Sequence, residues 1–206
     1  MSRVVHAIVR VAMKKGNGFV CGFILVSFFY TLSCSRPLIP ERFHYLNYEG
    51  KVNQHSRMIK AKPAILFSMI TDIEVFKTLY PSGYLEVTET TPSPHAIGTV
   101  RHTRTKYIVE LNWDSKAIEI VDSKKIVLEF LNGIFKGGYE IWELKEKGDQ
   151  TEVSHTILYN VHGFFPSLVW YIKKGEKKHD YLIMETLDSM RRQAEVCTEA
   201  NLGETH

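Results

Sequence analysis

The sequence predicts an α+β fold in which a curved antiparallel sheet of six to seven strands wraps around one long C-terminal helix. Three observations carry this expectation. From Tyr84 to Val161 apolar residues recur with a period of two, in runs joined by short turns, which makes successive strands antiparallel. After Phe165-Pro166-Ser167, the residues Leu168, Tyr171, Ile172, Leu182, Ile183, Leu187 and Met190 recur at helical spacings. Between the first strand and the rest lie two short apolar segments punctuated by Pro63, Asp72 and Pro81. A sheet with one wet face needs its apolar face covered, and the last helix is the long element able to do so.

Lys51 to Ala61 alternates loosely and reads as the first strand, ending at Lys62-Pro63. Pro63 suits the first position of a helix, where its missing N–H is not needed. Ala64 to Ile70 then forms a short helix closing near Asp72. Ile73 to Leu79 forms a second, with Val75, Phe76 and Leu79 on one side, broken by Pro81-Ser82-Gly83. Strands follow at Leu85–Thr91, Gly98–Lys106 and Tyr107–Trp113. Ala117–Val121 with Ile126–Leu131 makes one hairpin, and Tyr139–Glu146 with Thr151–Val161 a second. In the final helix Gly175 costs about 1 kcal/mol relative to Ala, which predicts a kink or break there.

The 206 residues suit one domain with an appendage, and 44% apolar content is enough for a core. A net charge of +3 is too mild for a dedicated nucleic-acid surface. The charge is uneven: no Asp or Glu precedes Glu41, whereas Arg3, Arg10, Lys14, Lys15 and Arg36 are cationic. Gly16 to Ser35 carries no charge, and roughly 20 apolar residues suffice to span a bilayer. Lys14 and Lys15 before this run give a basic-then-apolar layout that would send the domain outward. Residues 1–35 thus read as an uncleaved signal anchor, a cleaved signal peptide or an organellar presequence. The protein would be membrane-anchored with an extracytoplasmic domain, or secreted or organellar after cleavage, and Met13 is a second candidate start. Residues 36–50 read as a linker, 51–195 as the ligand-binding domain and 196–206 as a polar tail. Cys21, Cys34 and Cys197 make no disulfide framework, and no Cys/His spacing suggests zinc, so neither metal nor cofactor is expected.

Three stretches carry a family resemblance. They are Ala61-Lys62-Pro63-Ala64-Ile65-Leu66-Phe67-Ser68-Met69-Ile70-Thr71-Asp72, then Gly137-Gly138-Tyr139-Glu140-Ile141-Trp142-Glu143-Leu144, and Gly148-Asp149-Gln150-Thr151-Glu152-Val153-Ser154-His155. Across about Lys51 to Glu195 the chain resembles the START/Bet v 1-like (SRPBCC) superfamily, in particular its polyketide cyclase and coenzyme Q-binding branch. Tyr80-Pro81 matches the aromatic-proline ending of that family's short helices, whereas the N-terminal apolar segment departs from its soluble members. The resemblance implies a helix-grip fold with a cavity between sheet and C-terminal helix.

Alternation indicates which side chains face that cavity. Leu128 and Phe130 face inward if Glu129 faces water, as do Tyr107, Val109, Leu111 and Trp113. On the last strand His155, Ile157 and Tyr159 share one face, and Trp142 is either core or ligand platform. His155 and Tyr159 are either polar groups of a small-molecule site or core residues satisfied by backbone. Arg104, sharing a face with Val100 and His102, either pairs an anionic head group or lines a solvated edge. The run Lys173, Lys174, Lys177, Lys178 and His179 is a solvated face or a contact for anionic lipid. No catalytic motif is evident: Gly-x-Ser-x-Gly, His-Glu-x-x-His and a phosphate-binding glycine loop are all absent. The expected function is binding or transport of a small hydrophobic ligand such as a lipid, quinone or polyketide. Two alternatives stay open. One is a cyclase- or dehydratase-type enzyme using His155 or Tyr159 as acid or base. The other is a scaffold whose cavity is filled by Trp113, Phe130 and Trp142.

Overall fold

The computed structural model describes residues 39–89, 96–105 and 111–203. The predicted signal segment 1–35, Tyr107, Val109 and the last three residues lie outside the described residues. Among the described residues no helix is long and apolar enough to cross a membrane.

Seven antiparallel strands form one sheet in the order β1-β7-β6-β5-β4-β3-β2. They are β1 (Lys51–Ile59), β2 (Leu85–Glu89), β3 (Val100–Thr105), β4 (Leu111–Val121), β5 (Lys125–Phe130), β6 (Tyr139–Lys147) and β7 (Gln150–Tyr159). The short helices α1 (Pro63–Thr71) and α2 (Ile73–Leu79) follow β1, and α3 (Phe164–Ile172) and α4 (Gly175–Gly203) follow β7. The boundary of α1 and α2 has a clear local cause. Pro63 opens α1, and Asp72 both closes it and caps α2, its carboxylate accepting from the N–H groups of Glu74 and Val75.

Three expectations are corrected. The two strands expected at Tyr107–Trp113 and Ala117–Val121 merge, in the described part, into the single strand β4. A register shift between Ala117 and Glu119 bends it, and the polar Asp114 is held by Asn132, whose Oδ1 accepts the Asp114 N–H at 2.7 Å. The stretch read as a linker contains a 3-10 helix, Glu41–Leu46. Its Phe43 is 1% exposed and packs on Val127, Ile141 and Leu158 across the outer face of the sheet. Arg42 pairs with Glu143 at 3.1 Å, and the Tyr45 hydroxyl donates to Glu119 at 2.6 Å. The polar tail continues α4 as far as Gly203, because nothing between Cys197 and Gly203 breaks a helix.

The break expected at Gly175 is found, and it divides the C-terminal helical region into two helices. The chain reverses its twist at Lys174, whose φ is +53°, and α4 starts at Gly175. A side chain at Gly175 would strike the Trp170 indole, so the join needs glycine for close approach. Beyond the join, Ile183, Leu187, Met190 and Ala194 of α4 bury against Leu66, Ile70, Phe76, Trp142 and Leu144. This is the packed half of the concave face.

Candidate ligand-binding site

The other half is hollow. A cavity of about 400 Å³ lies between the inner faces of β2 to β7, α3 and the start of α4, a volume within the range of small-molecule sites. Leu111, Trp113, Leu128, Phe130, His155 and Ile157 are on its wall. Trp142 and Tyr159, expected beside them, pack behind it. Trp142 is taken up by Phe76 and by the His155 ring at 4.5 Å, and Tyr159 by Phe135 and Trp170. Burial also pushes the Tyr159 hydroxyl far up, with the charge of Glu176 adding to it.

Arg104 is corrected more sharply. Thr103 and Thr105 alternate inward on β3, which turns Arg104 outward, where it lies 3.7 Å from Glu86 and is half exposed. The cavity instead receives Arg101. Its guanidinium donates from Nε to Glu89 at 2.8 Å and from Nη2 to the Ile70 carbonyl at 3.2 Å. Nη1 is buried with no hydrogen-bond partner in the structure. The Thr105 hydroxyl, also on the wall, is in the same position.

Beside Arg101 the cavity holds Tyr80, Glu140 and His155. Glu140 Oε1 accepts the Trp142 indole N–H at 2.9 Å and lies 3.3 Å from His155 Nε2. Burial raises the Glu140 carboxyl, but its hydrogen bonds from His155 and Trp142 and the charge of Arg101 outweigh burial and hold it below the usual range. Burial, then the negative charge of Glu140, pushes the Tyr80 hydroxyl well up, so this phenol keeps its proton and can donate it. His179 on α4 completes the polar side of the wall. Burial holds its imidazole well below its ordinary value, and the neighbouring His155 and His55 add to that.

A seven-stranded antiparallel sheet, a capping helix pair and a C-terminal helix gripped across the concave face thus enclose a cavity. The fold is a helix grip. Solved structures bear this out. The chain is similar to the protein TTHA0849 from Thermus thermophilus, at 15% identity and a TM-score of 0.57, covering 71% of this chain and 98% of that one. It is similar to the KanY protein at 14% identity and a TM-score of 0.59, covering 72% and 99%. It also matches the di-domain ARO/CYC StfQ from the steffimycin biosynthetic pathway, at 10% identity and a TM-score of 0.59. That match covers 72% of this chain and 51% of StfQ. No protein-family model and no curated protein sequence matches the chain.

Arg101, Glu140 and Tyr80 were not singled out from the sequence, although two of them left a signal. Glu140 is two residues before Trp142 on one strand, so a strand facing Trp142 inward must face Glu140 inward as well. Arg101 shares its face with two threonines, an alternation as regular as that of Val100, His102 and Arg104. Tyr80 follows α2, and its inward direction depends on tertiary packing.

Proposed function

We propose that the helix-grip cavity binds a small hydrophobic molecule whose hydrogen-bond acceptor lies against Arg101 and Tyr80 and whose apolar body fills the space lined by Leu111, Trp113, Leu128 and Ile157. The observation that carries this reading is the buried Arg101 Nη1, a charged donor without a partner on the wall of a mostly apolar cavity. An unsatisfied buried donor costs roughly 1–3 kcal/mol, and an acceptor on a ligand recovers that cost.

Exchange of the ligand with an anionic membrane surface is part of the same proposal. Phe164, Tyr171 and Ile172 on α3 are 77%, 83% and 62% exposed, and the exposed Lys173, Lys174 and Lys177 cluster around the join with α4. Apolar side chains flanked by lysines suit a headgroup layer. The uncharged run of residues 16–35 would keep such a surface close.

Solvent extraction of the purified full chain, followed by mass spectrometry, tests the reading. A co-purifying apolar molecule near one-to-one, lost in Ile157→Trp, supports it. An empty protein that takes up neither a fluorescent fatty acid nor a quinone analogue overturns it. A second reading, acid–base catalysis of the cyclase or dehydratase kind, is favoured by the 3.3 Å contact of His155 with Glu140. It requires that His155→Gln abolish turnover while ligand is retained.

A further inference from the structure

On the far side of His179 from the cavity wall, β1 and α4 meet through polar side chains. Asn53 and His55 point from β1 toward α4, and His179 and Asp180 point back from the helix. Four donor atoms converge there. His55 Nε2 lies 2.9 Å from Asn53 Oδ1 and 3.1 Å from Asp180 Oδ1. His179 Nδ1 lies 3.0 Å from the same Asn53 oxygen, and Asn53 Nδ2 lies 2.6 Å from Asp180 Oδ1. The ligating atoms of His55, His179 and Asp180 all fall within 4.8 Å of one another.

The same atoms can serve as a hydrogen-bond cluster, in which the Asn53 oxygen accepts from both ring nitrogens and His55 Nε2 shares one proton between two oxygens. With both imidazoles neutral and turned to present a lone pair, they can equally serve as a ligand set for a cation. Zinc bonds to imidazole nitrogen and carboxylate oxygen of roughly 2.0–2.2 Å put tetrahedral ligands about 3.3–3.5 Å apart. The separations of His55 from Asn53 and Asp180, and of His179 from Asn53, are 2.9–3.1 Å, a few tenths of an ångström short of this, and the His55, His179 and Asp180 atoms lie within 4.8 Å of one another.

We propose that His55, His179, Asp180 and the Asn53 side-chain oxygen form a binding site for a divalent transition-metal ion of the zinc class. Two imidazoles with two oxygens suit zinc and its borderline neighbours rather than calcium or magnesium, which take oxygen ligands. The ligands stand on a strand and a helix rather than on loops, which holds their spacing. No sequence motif announces the site, because its halves are more than a hundred residues apart. His179 belongs to both the site and the cavity wall, so an ion here sits one side chain from the ligand space.

The test uses the full chain, stripped with a chelator and titrated with Zn²⁺ against a chromophoric chelator, with Co²⁺ as a spectroscopic substitute. One Zn²⁺ per chain is expected, together with visible Co²⁺ absorption of the tetrahedral type. Asp180→Asn and His179→Gln should each weaken binding by more than about 100-fold, beyond what loss of an outer-shell partner causes. His102→Gln, at a surface histidine paired with Asp114, should leave it unchanged. Zn²⁺ should also raise the Tm of the wild type and not of the two site variants, a comparison that shows whether the variants fold. Absence of stoichiometric Zn²⁺ in the wild type overturns the proposal, as does tight binding that survives both site substitutions.

Discussion

The two halves of the concave face are built from the same materials and end differently. Under α4 the apolar side chains Ile183, Leu187, Met190 and Ala194 follow spacings of four, three and four, and all are buried against α1, α2 and the sheet. Under α3 the sheet is just as apolar, with Leu111, Trp113, Leu128 and Ile157 turned toward it. Yet α3 spends Phe164, Leu168, Tyr171 and Ile172 on solvent and sends Trp170 toward the sheet. Apolarity alone therefore does not close a core. The reversal at Lys174 decides which helix lies down on the sheet and which stands off it.

The largest way to break this contrast is in the packed half. Leu187 is fully buried, so Leu187→Ala should cost about 4 kcal/mol in chemical denaturation while leaving ligand uptake unchanged. Ile157 already borders empty space. Ile157→Ala should cost nearer 2 kcal/mol, since it enlarges a void rather than creating one, and should alter ligand affinity. If both substitutions cost the same, the two halves are packed alike. Gly175→Ala sharpens the comparison at the join. Overpacking against Trp170 outweighs the gain in helix propensity, for a net loss of about 1 kcal/mol, and the displaced indole should reduce ligand uptake.

The smallest effect is electrostatic. The hydrogen bonds from Arg57 to Asp188, 2.6 and 2.9 Å, hold this carboxyl below its ordinary value of 3.8. A depressed folded-state pKa contributes stability above the ordinary value and loses it as pH falls through the folded one. Asp188→Asn should thus cost about 0.5–1 kcal/mol near neutrality, and the gap from wild type should close in acid. A gap that persists below pH ~3 would mean that packing of the side chain matters and its charge does not.

The legibility of the sequence follows the same division. The ends of α1 and α2 were readable because Pro63, Asp72 and Pro81 act locally. The inward faces of β5 and β7 were readable because their alternation is regular. Arg101 was missed because the inner and outer faces of β3 alternate with equal regularity, and composition favours placing an arginine outside. Glu140 was missed for the related reason that a carboxylate is normally read as wet. The 3-10 helix depends on Phe43 finding the outer face of β5, β6 and β7, a contact that no local pattern reports. The four groups between β1 and α4 come together only when the sheet forms.

The strand order has a cost at its ends. A sheet that stays open to hold a ligand has two rims, β1 and β2, with no further strand beside them among the described residues, where a closed barrel would have none. The β2 rim is short, with Glu86 and Glu89 at intervals along it, and gives an incoming strand little to add to. The β1 rim runs for nine residues with Gln54, Ser56 and Met58 turned outward and no acid or proline among them. Protection against strand addition therefore differs between the rims, and on β1 it falls to the two cations Lys51 and Arg57.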